Sequence, residues 1–195
     1  MLILGSSLLN IPVLSLQTGA ELARTSDFVI DPSNLRITAF LLDGPLLPHK
    51  AISLLRIADI REMSDIGIIV DSSEEFIEPE DVIKVNDVYL LHFQLINMLV
   101  TDEKNNRLGK VTDFTVDTTS FITQQLTVRR PLLHSLNDTE LIIHRSQIIE
   151  INNKSIVVHS EASAPEPELQ EVVGSYVNPF RKNNPAHEPT STDSL

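Results

Sequence analysis

The carboxylates best spaced for chemistry sit in two similar stretches, RTSDFVID at residues 24–31 and KVTDFTVD at residues 110–117. Each holds two aspartates four residues apart, Asp27 with Asp31 and Asp113 with Asp117, and a phenylalanine follows the first. On a strand, residues four apart face the same way. Such a pair can hold a divalent cation or act as general acid and base. The competing reading is scaffold. Asp31 and Asp117 stand where turns open, and an aspartate there bonds the backbone ahead of it. Asp27 and Asp113 fall on the solvent side of an alternating strand. Turn chemistry accounts for the pairs without a bound ion, so they are read as structure.

No other catalytic constellation stands out. The chain has no cysteine, which excludes disulfides, thiolate metal sites and cysteine nucleophiles. Its histidines are His49, His92, His134, His144, His159 and His187. None shows i, i+4 zinc spacing or an HExxH motif. There is no G-x-S-x-G, and six glycines form no phosphate-cradling loop. No enzyme, cofactor or metal is therefore expected. Two features suit binding instead. Arg129-Arg130, with Lys104, Arg107 and Lys110, could form a positive patch for an acidic partner or an RNA backbone, against the plainer reading of a solvated strand end. Farther on, VVGSYVNPF (172–180) places Tyr176 and Phe180 in an otherwise polar segment, where they could dock on the chain itself or extend a sheet edge of another protein.

The elements that would carry these residues follow from composition and from an internal repeat. The 195 residues are 42% hydrophobic but only 5% aromatic, so the core must rest on Leu, Ile and Val. The net charge of −12 repels phosphate backbones. It is uneven: residues 1–85 carry net −7, residues 86–160 net −1 and residues 161–195 net −4. Residues 9–71 align on 96–159. Asp27, Phe28 and Asp31 meet Asp113, Phe114 and Asp117 at a shift of 86, and Pro45 meets Pro131; the shift later becomes 88. Each copy reads as a β-hairpin through Phe28/Ile30 and Phe40/Leu42, or Phe114/Val116 and Leu126/Val128. Further strands follow near 51–54 and 66–70, and near 140–143 and 155–158. A linker, helical at Pro79–Val85, leads to the second copy. The apolar first sixteen residues resemble a signal peptide, but no Lys or Arg precedes Arg24 and no A-x-A follows. They are read as the start of the first copy, and no apolar run reaches the ~18 residues of a membrane span.

The stretch RLGKVTDFTVDTTSFITQQLTV, followed by ELIIHRSQIIEINNKSIVV, resembles the PRC-barrel domain family. Gly109, Val111, Asp113, Asp117, Leu126, Val128, Ile148 and Val157 stand at the family's pattern positions. The first copy departs from it, with Ala23 in place of the glycine and Thr25 in place of Val111. The resemblance implies an all-β protein of two tandem small PRC-type β-barrels with a pseudo-two-fold repeat. The expected divisions are a first barrel at 1–78, a linker at 79–86, a second barrel at 87–160 and a disordered acidic tail at 161–195. It also implies a non-catalytic, cytoplasmic protein-interaction scaffold, since docking onto proteins is the family's shared theme. The expected partners are proteins, a second copy of the chain among them, rather than nucleic acid. Alternatives are an RNA-metabolism or ribosome-assembly factor, and a photosynthesis- or membrane-complex-associated cytoplasmic protein.

Overall fold

The computed structural model describes residues 1–48, 51–130, 140–152 and 154–159. The described chain is predominantly β. Strand β1 (Leu2–Leu4) leads into a 3-10 turn at Gly5–Leu8. Then come β2 (Pro12–Ser15), β3 (Glu21–Asp31), β4 (Arg36–Asp43), β5 (Ser53–Arg56), β6 (Glu62–Ser64) and β7 (Gly67–Val70). A two-residue strand β8 (Phe76–Ile77) and the one α-helix among the described residues, α1 (Ile83–Tyr89), follow. The second run is β9 (Leu99–Asp102), β10 (Arg107–Asp117), β11 (Ile122–Arg129), β12 (Glu140–His144), β13 (Ile148–Ile151) and β14 (Ser155–Val158).

Pairing follows one order in both runs. The antiparallel ladder β2–β3–β4–β5 is matched by β9–β10–β11–β12, and the hairpin β6–β7 by β13–β14. The single parallel contact in each run, β2 with β7 and β9 with β14, returns the last strand to the first. Even the irregularities correspond. Bulges interrupt β3/β4 between Thr25 and Asp27, and β10/β11 between Val111 and Asp113. The sheet is mixed and its strand path is open, ending at β6 and β13. The hydrogen-bonded closure that a barrel would need is not made among the described residues. A 3-10 turn at Ile57–Asp59, or at Arg145–Gln147, intervenes before the following strand.

The two runs meet at the tips of their long hairpins. Asp31 and Asp117 open five-residue turns closed by Leu35 N–H to Asp31 O (2.8 Å) and Phe121 N–H to Asp117 O (2.7 Å). Leu35 (φ 54°) and Phe121 (φ 55°) are both left-handed. That region suits glycine, and a side chain there is strained by roughly 1–2 kcal/mol. Both side chains are buried, which explains why glycine is absent: burying Leu or Phe is worth about 2–3 kcal/mol. Beside them β4 and β11 join at Arg36 and Ile122. Ile37 N–H donates to Phe121 O (2.9 Å), and Thr123 N–H donates to Leu35 O (3.0 Å). A shift of 86 residues carries one of these bonds onto the other. Phe28 lies edge-on to Phe114 at 5.5 Å, and Phe40 to Phe121 at 6.2 Å, so one hydrophobic core runs through both sets of strands.

Segments preceding each run cross over. Strand β1 pairs with β10 (Leu2 opposite Asp117), and the 3-10 turn after it packs on Phe114. Helix α1, which precedes the second run, packs against β3 of the first. There Val85 is buried with Val29, Ala39 and Leu54, and Val88 and Tyr89 pack around them. The helix starts later than the sequence predicts. Pro79–Asp81 forms a 3-10 turn closed by a Glu78/Asp81 capping box. Val82 is then extended and interrupts it before α1 begins at Ile83. Val88 packs against Val29 of β3 from within this helix.

An ordinary buried position tolerates Ala better than Gly. At Leu35 the order inverts, because Ala keeps the left-handed strain and loses the packing. Leu35→Ala is expected to destabilise by about 3 kcal/mol, and Leu35→Gly by about 1 kcal/mol less. Urea unfolding of the two variants measures this.

Candidate functional site

The acidic pairs are absorbed by the scaffold. Asp31 accepts from Ser33 N–H (2.9 Å) and Asn34 Nδ2 (2.9 Å). Asp117 accepts from Ser120 Oγ (2.8 Å) and from the Ser120 and Thr119 N–H groups. The Ser120 hydroxyl is the main cause that holds the Asp117 carboxyl below the usual aspartate range. Asp113 ties down the crossing segment, accepting Ser6 N–H (3.1 Å) and Ser6 Oγ (2.5 Å). Asp27 accepts the N–H of Phe28 next to it (2.8 Å). Within each pair the two carboxylates make separate contacts, the second of them closing the hairpin turn. Among the described residues, no three His, Cys, Asp or Glu side chains cluster as a metal site would need.

Of the described histidines, His144 and His159 are hydrogen-bonded and His92 lies edge-on to Tyr89 at 5.8 Å. The His144 ring accepts Ser146 N–H (3.3 Å) to cap a 3-10 turn, and His159 meets Glu103 at 2.8 Å. His49, His134 and His187 lie outside the described residues, as do Tyr176 and Phe180.

The basic residues come together on one strand end. Lys110 on β10 is the cross-strand partner of Arg129 on β11. Arg107 precedes Lys110 on β10, Lys104 lies in the β9–β10 turn, and Arg130 follows Arg129. Lys104, Arg107, Lys110 and Arg129 are exposed and Arg130 is half-buried. Among the described residues none has an ion-pair partner. Two cations directly opposite on neighbouring strands are mildly unfavourable, so this arrangement is set against the stability of the sheet alone.

The matching place on the first run is neutralised. Shifted by 86, Arg107, Lys110, Arg129 and Arg130 fall on Glu21, Arg24, Asp43 and Gly44. There Arg24 forks onto Glu21 through two bonds of 2.7 and 2.8 Å. A cleft of about 440 Å³ opens beside Glu21, Arg24, Asp43 and Leu46. Backbone packing explains the accompanying glycine exchange. A Cβ on Gly109 would overlap the carbonyl oxygen of Arg129, so the close approach of β10 and β11 needs glycine on β10. In the first run Gly44 supplies the room: its added Cβ would stand 3.2 Å from Ala23 Cα. Moving the glycine to β10 frees the other position for Arg130. Thr25, which stands where Val111 does, is buried and donates to Leu8 O (2.7 Å) while accepting Ile11 N–H (2.9 Å).

One organising carboxylate escapes a sequence reading. Asp102, at the end of β9, is buried. It accepts Lys104 N–H (2.9 Å), Asn106 N–H (2.8 Å) and Asn106 Nδ2 (2.8 Å). It thereby shapes the turn that presents Lys104. The Asn106 side chain is the first cause of its lowered pKa. The D-x-x-x-N spacing is the signal available in the sequence, though many surface turns share it.

With known proteins the chain shows no match, either to a family model or to a curated protein. No helix among the described residues is long and apolar enough to cross a membrane.

Two outcomes follow from this geometry. Gly109→Ala is expected to destabilise by about 2 kcal/mol or more through overpacking, while Ala23→Gly stays within about 1 kcal/mol; thermal melts compare them. Asp71, Asp102 and Asp117 all have lowered folded-state pKa values, Asp71 through Arg61. The unfolded chain therefore binds protons first. Their stabilisation is full above the unfolded value near ~4 and fades as pH falls through the folded values. In Asp102→Asn the fading should be shallower, which denaturant melts from neutral pH to acid measure.

Proposed function

We propose that the chain is a non-catalytic interaction scaffold of two tandem PRC-type barrel units, and that its second unit docks an acidic protein segment on the basic end of β10 and β11. The duplicated-unit reading is supported by the recurring pairing order, by the matched left-handed residues Leu35 and Phe121, and by Asn10 (φ 59°) and Asn97 (φ 68°) before each run. The PRC likeness rests on the residues that carry it in the sequence.

The observation that carries the docking role is the contrast at equivalent positions. Identical backbone places hold Glu21, an ion-paired Arg24 and Asp43 in one unit, and Arg107, Lys110 and Arg129, which make no ion-pair contact among the described residues, in the other. In a chain of net −12, cations gathered at one strand end make that end more favourable to an anionic partner than the rest of the surface. That difference steers an acidic segment to this end. Stacking aromatics, which single-stranded RNA recognition uses, are not among the residues of this patch.

Affinity capture from the native cell with the wild-type chain and with Arg129→Glu/Arg130→Glu tests the reading. The wild type should retain an acidic protein partner in a salt-sensitive way, and the double variant should lose it. Retention of the same partners by the double variant would overturn the assignment. Nuclease-sensitive capture would move the site to RNA.

A further inference from the structure

The two runs differ at one sheet edge. In the first, the outer edge of β5 is covered: Leu54 pairs with Ile77 and Leu55 with Phe76 of β8. Leu54 is 0% exposed. In the second, β12 occupies the matching place. Ile142 stands opposite Thr127 as Leu54 stands opposite Leu41. Yet Ile142 is 53% exposed, and β12 pairs only with β11 among the described residues.

At its His144 end that edge is already held within the chain, which leaves the Ile142 stretch to bond. His144 N–H is turned away from β11 and donates to Gln147 Oε1 (2.7 Å). Backbone groups alternate along a strand, so Ile142, two residues earlier, also points its N–H and C=O outward. This is the side on which β8 meets Leu54. The next stretch of the chain itself is poorly suited to fill it. Shifted by 88, Phe76-Ile77 falls on Ala164-Pro165, and proline has no N–H to give.

We propose that the outer edge of β12 pairs antiparallel with the same edge of a second copy of this chain, about a two-fold axis at Ile142. The strand is self-complementary in that register. Ile142 meets its own counterpart, covering the exposed side chain. Glu140, two residues before it, meets His144 of the other copy, two residues after. Glu140 also neighbours Arg129 across the sheet, so each carboxylate sits between one basic and one imidazole side chain. Charge also favours this half of the molecule: residues 86–160 carry net −1, against −7 for residues 1–85. Two copies of an acidic chain meet here with least repulsion. Two-fold contacts of this kind are isologous and close at the dimer. A five-residue edge buries little area, so the dimer should form only as concentration rises.

Sedimentation velocity on the full chain over about a hundredfold range of concentration reads this. The expected result is a monomer–dimer equilibrium, with dimerisation weakened at least about tenfold in Ile142→Lys. Hydrogen exchange at the wild-type Ile142 amide should slow as concentration rises, a readout that needs no variant to fold. A chain that stays monomeric throughout would overturn the proposal. So would a dimer indifferent to Ile142→Lys with an Ile142 amide that exchanges freely. Concentration-independent protection of that amide in a monomer would assign the edge to another segment of the same chain instead.

Discussion

The joint between the two hairpin tips is the constraint on which the described structure depends. Leu35 and Phe121 accept a left-handed backbone because their side chains enter the shared core. Beside them the reciprocal bonds Ile37 to Phe121 and Thr123 to Leu35 knit β4 to β11. Each run of strands is small, and a unit of that size buries too little apolar surface to stand comfortably alone. The joint makes a single core from Phe28, Phe40, Phe114 and Phe121. Strain at two backbone positions is thus tied directly to the burial that holds both runs together.

Once the runs share a core, their outer faces are free to diverge. On β3–β5 the outer face is Val29, Ala39 and Leu54, and α1 with β8 covers it. The same register on β10–β12 holds Thr115, Gln125 and Ile142. Two of those three are polar, the Thr115 hydroxyl buried without a partner, while Ile142 at the edge is left out of any core. Charge diverges in the same way. The ion-paired Glu21–Arg24 corner and the basic Lys110–Arg129 corner use one backbone geometry. The position of a single glycine decides which strand can carry a long side chain there.

How much of this was legible in the sequence differs by element. Both long hairpins were, because Phe28/Ile30 and Phe114/Val116 alternate with polar residues and an aspartate opens each turn. The later strands near 51–54, 66–70, 140–143 and 155–158 were readable as well. The left-handed Leu35 and Phe121 were not, since neither is a residue type that announces such a turn. The helix was misplaced because its register depends on contact with Val29 and Leu54, far away in the chain. Asp102 was missed because a burial state decides its importance. The basic residues were readable as a group, but not the cross-strand opposition of Lys110 and Arg129.

The sequence by itself determined local periodicity, turn chemistry and the correspondence between residues 9–71 and 96–159. Those depend on neighbours a few positions apart, or on comparing the chain with itself. Tertiary structure alone decided that β1 crosses to β10, that α1 covers one outer face, and that Asp113 in KVTDFTVD anchors the crossing segment at Ser6. The physical reason is that these outcomes turn on which surfaces meet. Burial of Val29 and Leu54 or exposure of Ile142 is a property of the packed pair of sheets, not of any window of the chain.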